Sequence, residues 1–330
     1  MPKQKWNKWK GHIKGRLFEL VIKSILQKAG YETDIVKIDK EFKELKLFTK
    51  NLKTMRGRGG TYNYDLIGLF KLPIPFSYPI LLVGEAKAYD RTIQLDVARE
   101  FIGIYTDVTQ FINIDTFRHV TKYSQIFKKR PSYLPVVFSL KSIRKSAQAL
   151  LYTHGINFIS YEDHPLFRVV MNKIENLLKK INYKEIKNED RLLTRLTTLQ
   201  SFDSLPSKYK KIKYDEALND LIKYTDALHS YLGVLDGQWV VNILTKSKLK
   251  RDFSKKIFKD NKSYYNVREN IVTIHNTENP RSFKIGYFSL PSYFITEFKK
   301  HKNQFESLCF YIIRNDKLYP YYIKLVGEQF

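Results

Sequence analysis

The sequence predicts an α/β fold in which helices flank a mixed central β-sheet, followed by an α+β domain in the C-terminal half. Apolar residues of the N-terminal half follow the order helix, three strands, helix, strand, helix, strand, which is typical of a sheet covered by helices. Hydrophobic residues make up 43% of the 330, enough to bury a substantial core. Beyond residues 164–165 the pattern changes, because charged and polar passages interrupt it.

The first predicted helix spans residues 14–29, where apolar side chains recur at helical spacing and Gly30 follows as the expected C′ residue. Glu19 lies in its first turns, where a carboxylate favours the helix dipole whatever else it does. Residues 1–10 are basic and contain Trp6 and Trp9. They predict either an arm that lies along a phosphate backbone or a terminus whose tryptophan packs on the core.

Three strands are predicted next. Alternating side chains indicate the first over residues 31–38. A Lys- and Glu-rich segment, residues 39–53, then forms either a helix or a surface excursion. Two apolar runs, residues 62–70 and 78–87, are joined by a proline-broken connection and predict two neighbouring strands.

The second and third strands carry the main functional signal. Asp65 lies on one of them, and Glu85, Ala86 and Lys87 end the other. Because strand side chains alternate between faces, Glu85 and Lys87 point the same way, and pairing of the strands can bring Asp65 alongside them. Two carboxylates, an ammonium group and the Ala86 carbonyl suit Mg²⁺ and a water that attacks phosphorus. An Asp and a Glu-x-Lys at loose spacing also occur by chance, so the tripeptide alone is a weak motif.

A glycine-rich segment, residues 55–60, precedes the acidic strand and contains Arg56 and Arg58. Glycines leave backbone N–H groups free to face an anion and the arginines add charge, so the segment could grip a phosphate beside Asp65. A flexible hairpin turn explains the glycines equally well.

The later elements of the N-terminal half are a helix over residues 92–105 and strands over residues 134–139 and 156–161, with another helix between these strands. Gln94 and Arg99 lie off the apolar stripe of the first of these helices. They face either the predicted site or solvent.

Three regions are predicted along the chain. Residues 1–183 form the first domain with its basic N-terminal arm, and residues 184–212 form a charged linker. Residues 213–330 form a basic, aromatic α+β domain suited to target recognition, dimerisation or both. Within it, a helix is expected over residues 214–232, and a closing hairpin pairs residues 308–314 with residues 318–326.

The formal net charge of +25 favours a polyanionic partner, and nucleic acid is the first choice because basic and aromatic residues are interleaved. An AT-rich genome would also inflate lysine, so part of this charge could be background. There is no apolar run of spanning length, signal peptide or lipidation motif, which argues against a membrane partner. The single cysteine, Cys309, excludes an internal disulfide, so we expect a reducing, cytoplasmic setting.

Taken in order, these features resemble the Mrr-like branch of the PD-(D/E)XK (restriction endonuclease-like) nuclease superfamily over about residues 11–165. The matching segments are Gly15-Arg16-Leu17-Phe18-Glu19, Ala29-Gly30-Tyr31, Arg58-Gly59-Gly60, Tyr64-Asp65-Leu66-Ile67, Glu85-Ala86-Lys87, Val97-Ala98-Arg99-Glu100-Phe101-Ile102-Gly103, Val136 to Ser139, Ser146-Ala147-Gln148 and Gly155-Ile156-Asn157-Phe158-Ile159.

The resemblance implies the restriction endonuclease-like fold, metal-dependent DNA cleavage, and catalytic roles for Glu19, Asp65, Glu85 and Lys87. Asp65, Glu85 and the Ala86 carbonyl are the expected metal ligands, with Mn²⁺ able to substitute for Mg²⁺. The expected DNA-binding residues around this core are Lys14, Arg16, Arg56, Arg58, Gln94 and Arg99.

The sequence departs from the family in three places. Members of this branch often carry Gln where this chain has Glu85, and the present Glu-x-Lys returns to the wider superfamily pattern. No proline directly precedes Asp65, and the insertion over residues 37–53 is longer than the minimal core. The half from about residue 185 onward shows no such resemblance.

The first functional hypothesis is a Mg²⁺-dependent endonuclease that hydrolyses phosphodiester bonds of double-stranded DNA. It would serve host defence as a type II or modification-dependent restriction enzyme, and would be a homodimer if both strands are cut, since one site handles one phosphodiester. A structure-specific nuclease, such as a Holliday junction resolvase or a transposase end-cleaving subunit, is the second hypothesis. A non-catalytic DNA-binding subunit is the third, although a pure binding surface has no reason to gather carboxylates against phosphate.

Overall fold

The computed structural model describes residues 3–50, 54–72, 78–111, 131–181, 215–235, 239–246, 262–268, 271–275, 284–289, 307–314 and 317–327. The predicted linker, residues 184–212, lies outside these ranges. None of the helices in the described part of the chain is long and apolar enough to span a membrane.

The first helix is longer than predicted. Helix α1 spans Lys3–Lys28, so the expected N-terminal arm forms its first turns. Trp9 and Ile13 are buried and continue the apolar face, which explains why the helix extends toward the N-terminus. Gly30 follows with φ of 97°, the left-handed conformation expected of a C′ glycine. Glu19 therefore lies in mid-helix, beyond the first turn to which the dipole effect is limited.

The N-terminal sheet is mixed, as predicted. Along the chain its region contains β1 Tyr31–Glu32, β2 Met55–Arg56, β3 Thr61–Tyr62, β4 Leu66–Phe70, β5 Ile80–Lys87, β6 Ser132–Ser139 and β7 Asn157–Ser160. The main sheet has the order β1-β4-β5-β6-β7, and β2 pairs with β3 in a separate hairpin. The β1–β4 and β4–β5 pairs are antiparallel, whereas β5–β6 and β6–β7 are parallel.

Helices pack around this sheet. They are α2 Ile35–Glu41, a 3-10 turn Lys43–Leu45, α3 Leu95–Thr109, α4 Lys145–Thr153 and α5 Pro165–Lys180. The predicted strand over residues 31–38 is wrong beyond Glu32. Asp34 Oδ1 accepts a hydrogen bond from the Val36 N–H at 3.0 Å, and this N-cap starts α2 where alternation alone predicted extended chain.

The C-terminal half contains a helix and a closed barrel. The helix is α6 Asp215–Ala227, and the strands are β8 His229–Leu235, β9 Trp239–Thr245, β10 Lys262–Arg268, β11 Ile271–His275, β12 Lys284–Ser289, β13 Ser307–Arg314 and β14 Lys317–Gly327. The barrel order is β10-β11-β12-β9-β8-β13-β14, closed by a parallel β10–β14 pair. The predicted closing hairpin is confirmed, because β13 and β14 pair antiparallel from Arg314 and Lys317 outward. The predicted helix over residues 214–232 ends early, where β8 begins.

The two halves share a core. One apolar cluster contains residues of α1, the sheet, α5, α6 and β9, including Phe18, Phe138, Leu221 and Leu244. A buried hydrogen bond crosses the same boundary, where the Tyr161 hydroxyl donates to Asn242 Oδ1 at 2.9 Å. The sheet and the barrel are therefore packed against each other through apolar and polar contacts.

Candidate active site

The predicted acidic residues meet where β4 begins and β5 ends. Leu66 pairs with Gly84, so extending this antiparallel register by one residue puts Asp65 opposite Glu85. The Ala86 N–H donates to Asp65 Oδ2 at 3.0 Å. Asp65 is thus held against β5 by the backbone of the Glu-Ala-Lys segment.

Glu85 and Lys87 form an ion pair on one face of β5. Burial and then repulsion by Asp65 raise the pKa of Glu85 to about 7, against the opposing effect of Lys87. Burial is the largest single influence on the pKa of Lys87 and lowers it. The attraction and hydrogen bond to Glu85, together with the charges of Asp65 and Tyr89, outweigh burial and raise this pKa above its usual value. The site therefore concentrates negative charge in a partly desolvated position.

Glu19 brings a third carboxylate to this region from α1. Burial and then the charge of Asp65 raise the pKa of Glu19, so these two carboxylates lie close enough to repel each other. Arg16, one turn earlier on the same helix, forms an ion pair with Glu19. The structure thus brings together Glu19, Asp65, Glu85 and Lys87, with Arg16 engaged by one of the carboxylates.

Three neighbours of the site were not predicted. Lys23 interacts electrostatically with Glu19 and Asp65. Burial, and to a smaller extent repulsion from Arg16, lower the pKa of Lys23 despite this attraction. Its position four residues after Glu19 is a helical spacing that could have indicated this contact. Glu100 on α3 adds to the negative charge around Glu85.

The third neighbour is Tyr64, which directly precedes Asp65 in the sequence. Its hydroxyl is buried and has no hydrogen-bond partner within the described residues. Burial raises the pKa of this hydroxyl. No sequence pattern distinguishes Tyr64 from the chain's other tyrosines.

Lys14 links α1 to the segment that follows β5. Its ammonium group forms an ion pair with Asp90. In the same segment, the ring of Tyr89 lies with its centroid 5.9 Å from Lys87 Nζ. Lys14, predicted to contact DNA, therefore holds the chain next to the site lysine in this structure.

The other predicted DNA-binding residues lie on different elements of the N-terminal half. Arg56 Nε donates to the Phe48 carbonyl at 3.2 Å, and Arg58 lies beside Asp107 at the end of α3. Gln94 is the N-cap residue of α3, where it accepts a hydrogen bond from Arg144 Nη1 at 3.2 Å. The side chain of Arg99 is exposed on α3.

The donor set fits a magnesium ion held by two carboxylates. Among the described residues, no group of three or more His, Cys, Asp or Glu side chains could hold a metal ion. Mg²⁺ commonly binds through one or two carboxylates and several waters, so a larger cluster is not required. Asp65 and Glu85 lie opposite each other, and their mutual repulsion would be relieved by a divalent cation. The N–H and C=O of one strand residue point the same way, so the Ala86 carbonyl also faces the Asp65 side of β5.

No family model matches this chain, and no curated protein or solved structure matches it.

Proposed function

We propose that this chain is a Mg²⁺-dependent DNA endonuclease with a restriction endonuclease-like core. The observation that carries the proposal is the placement of Asp65 opposite Glu85, with Lys87 on the same face of β5 and Glu19 close enough to repel Asp65. Carboxylates gathered at a partly desolvated edge suit a divalent cation. The net charge of +25 supports a polyanionic substrate.

Each site residue has a distinct role in this proposal. Asp65, Glu85 and the Ala86 carbonyl hold the ion, and the Ala86 N–H keeps Asp65 in place. When bound, Mg²⁺ neutralises charge on the phosphate and lowers the pKa of water. Lys87 stabilises the negative charge that develops on the phosphate oxygens, and Glu19 orients the attacking water. Mn²⁺ would substitute, because it accepts the same oxygen ligands.

The biological setting that we propose is host defence, as a type II or modification-dependent restriction enzyme acting as a homodimer. A dimer places two sites on a duplex, so that each cuts one strand. The barrel, on the C-terminal side of the shared core, is the proposed source of target recognition.

The decisive experiment is a DNA cleavage assay on plasmid and on linear duplex with Mg²⁺. We expect cleavage by the wild-type protein, loss of cleavage with EDTA, and a fall of at least about 100-fold for Asp65→Asn, since removal of one electrostatic stabiliser costs that much. Asp96→Asn, which changes an exposed acid on α3, is the matched control and should keep full activity. Cleavage that persists in both EDTA and Asp65→Asn would refute the proposal.

The same assay separates the alternative functions. Preference for methylated or unmethylated duplex supports a restriction enzyme, whereas preference for branched DNA or transposon ends supports a structure-specific nuclease. DNA binding without metal-dependent cleavage of any substrate supports a non-catalytic subunit.

A further inference from the structure

The glycine-rich segment before the acidic strand wraps around a carboxylate of the chain itself. The Gly59 N–H donates to Asp107 Oδ1 at 3.0 Å and to Oδ2 at 2.9 Å, and the Arg58 N–H donates to the Asp107 carbonyl at 3.1 Å. The Tyr62 hydroxyl also bonds the Asp107 carboxylate, and this bond raises the pKa of Tyr62. We call residues 56–60 the arginine-glycine loop.

Asp107 forms hydrogen bonds that satisfy polar groups of both helix α3 and the arginine-glycine loop. It lies two residues before the end of α3, where backbone carbonyls have no partner within the helix. The Arg58 N–H satisfies one of them, so the loop closes the C-terminal end of the helix. In return, the carboxylate accepts the Gly59 N–H of a loop that has little regular structure of its own.

Gly57 shows how closely the loop fits this carboxylate. A Cβ added at Gly57 would lie 2.3 Å from Asp107 Oδ2 and 2.6 Å from Tyr62 Cε2. Both distances are too short for non-bonded atoms, so a side chain here would displace the carboxylate. A side chain at residue 57 and the present position of the Asp107 carboxylate therefore exclude each other.

The exposure of the two charged side chains differs sharply. The Asp107 side chain is 14% exposed, whereas the Arg58 side chain is 71% exposed. Arg58 Nε lies 3.7 Å from Asp107 Oδ1, a distance that allows attraction but exceeds a hydrogen bond. The half-buried acid thus anchors the base of the loop, and the guanidinium extends into water with donors available for a phosphate.

We propose that Asp107 is a positioning residue for DNA binding, which holds the arginine-glycine loop so that Arg58 contacts a backbone phosphate. The inference rests on the proposed function for the identity of the polyanion. In this arrangement the backbone N–H groups of Arg58 and Gly59 bond Asp107, and the phosphate contact belongs to the Arg58 side chain.

Whether removal of the Asp107 carboxylate strengthens or weakens DNA binding distinguishes a positioning role from a purely electrostatic effect. Removing a carboxylate from a DNA-binding protein ordinarily strengthens binding, because the polyanion meets one fewer negative charge. A positioning role predicts the opposite for Asp107, since a displaced loop loses a phosphate contact. Glu32 provides the matched control, because its carboxylate also accepts a backbone N–H, from Asp34 at 3.0 Å, and pairs with a lysine, Lys37, at 3.1 Å.

The test measures the affinity of the full chain for a duplex of about 20 base pairs, by fluorescence anisotropy in EDTA at several salt concentrations. We expect Arg58→Ala to weaken binding several-fold and to reduce the salt slope by about 0.9, as for one lost phosphate contact. Asp107→Asn should weaken binding to a similar extent, and the double variant should be no weaker than Arg58→Ala. Glu32→Gln should bind as tightly as wild type or more tightly.

A second variant tests the same contact if Asp107→Asn fails to fold. Gly57→Ala should weaken binding by pushing the carboxylate away, whereas Gly103→Ala, which adds the same methyl group into open space on α3, should not. The inference is overturned if the folded Asp107→Asn protein binds like the matched control, and the same holds for Gly57→Ala if that variant is used in its place. It is also overturned if the effects of Asp107→Asn and Arg58→Ala add, or if wild type binds no duplex. Because these measurements need no cleavage, a protein that cuts DNA but fails them refutes only the positioning role. A protein that passes them without cutting refutes only the nuclease.

Discussion

At the scale of single residues, Glu85 is a carboxyl group that titrates near neutral pH and is one of the proposed ligands of the divalent cation. Burial and Asp65 raise its pKa to about 7, which places its titration near neutral pH. A metal ion needs the ionised form, so acid should weaken metal binding.

We predict that Mg²⁺ raises the melting temperature of the wild-type protein, more at pH 8 than at pH 6. An ion that binds only the folded state stabilises it by about 2.7 kcal/mol at 100 times its dissociation constant. One pH unit below a pKa of about 7, the affinity should fall about tenfold. Asp65→Asn should abolish the gain, and Asp96→Asn should retain it. Scanning fluorimetry measures the melting temperatures. An equal rise on adding Mg²⁺ for wild type and Asp65→Asn would show that the ion binds elsewhere.

His164 is a second buried titratable residue, far in sequence from the site residues. Its ring lies between the start of α5 and the barrel, where Nδ1 accepts the Phe167 N–H at 3.4 Å and Nε2 bonds the Tyr287 carbonyl at 3.2 Å. The carbonyl can only accept, so Nε2 carries the proton and the ring is neutral. Burial lowers the pKa of His164 to about 4.

We predict that His164 makes the protein less stable in mild acid. The unfolded chain takes up a proton near the usual pKa of 6.5, and the folded chain resists it until about pH 4. The stability is therefore fully present above pH 6.5 and falls through this window, by on the order of 3 kcal/mol. His164→Asn keeps an N-cap but does not titrate, so its melting temperature should fall less between pH 7 and pH 4.5. Parallel curves for the two proteins would contradict the prediction.

At the scale of elements, α1 supplies both core and site. Its apolar face is buried from Trp9 onward. Arg16, Glu19 and Lys23 recur at helical spacing, and the charges of Glu19 and Lys23 interact with Asp65. A helix packed along its length holds these side chains more firmly than a loop would. The same helix is tied to the segment after β5 by the Lys14–Asp90 ion pair.

One buried hydroxyl adds a polar contact between the sheet and the barrel. Tyr161 follows β7, stacks on Phe167 at 4.1 Å between ring centroids, and donates to Asn242 on β9. The Asn242 amide nitrogen in turn donates to Ser230 Oγ at 2.7 Å. Each buried polar atom of this network has a partner, which makes the network costly to interrupt.

We predict that Tyr161→Phe lowers the free energy of unfolding by about 1–3 kcal/mol, because it leaves Asn242 Oδ1 buried without its donor. Tyr152→Phe is the control, since Tyr152 is an exposed tyrosine that stacks on Trp239 through its ring. Urea denaturation should show a loss for Tyr161→Phe and little change for Tyr152→Phe. Equal values for both variants would contradict the role of the hydroxyl.

At the scale of the whole molecule, the shared core determines how far the predicted domains can be separated. Leucines of α6, β9 and the segment between them, namely Leu218, Leu221, Leu228 and Leu244, belong to the same apolar cluster as α1 and the sheet. Burying a large aliphatic side chain contributes about 1.5–3 kcal/mol. The free energy contributed by burying four such side chains is comparable to the total stability of a typical domain, about 5–15 kcal/mol.

We predict that a fragment of residues 1–183 melts far below the full chain or lacks a cooperative transition, because its core loses this cover. The control is the full chain cut at a protease site placed within residues 184–212, which should keep its melting temperature because both pieces remain present. Circular dichroism on heating makes the comparison. A fragment as stable as the full chain would show that the N-terminal half folds by itself.

The order of the main-sheet strands, the helices between them and the mixed character of the sheet could be predicted from the sequence alone. The sequence also identified Asp65 and the Glu-Ala-Lys segment as residues that neighbouring strands could bring together. These features follow from short-range patterns, since helical and strand periodicity and C′ glycines act within a few residues. The main local error, the strand over residues 31–38, arose because the cap at Asp34 outweighed the alternation of side chains.

Three features depend on the folded chain: the length of α1, the contacts by which α6 and the barrel cover the sheet, and the partner of the arginine-glycine loop. Asp107 lies 48 residues beyond Gly59, and β14 closes the barrel against β10 across an even longer separation. Residue spacing carries no information about such partners, because they depend on how packing folds the chain back on itself. The same holds for Lys14, whose charge predicts a polyanion but whose partner in the fold is Asp90.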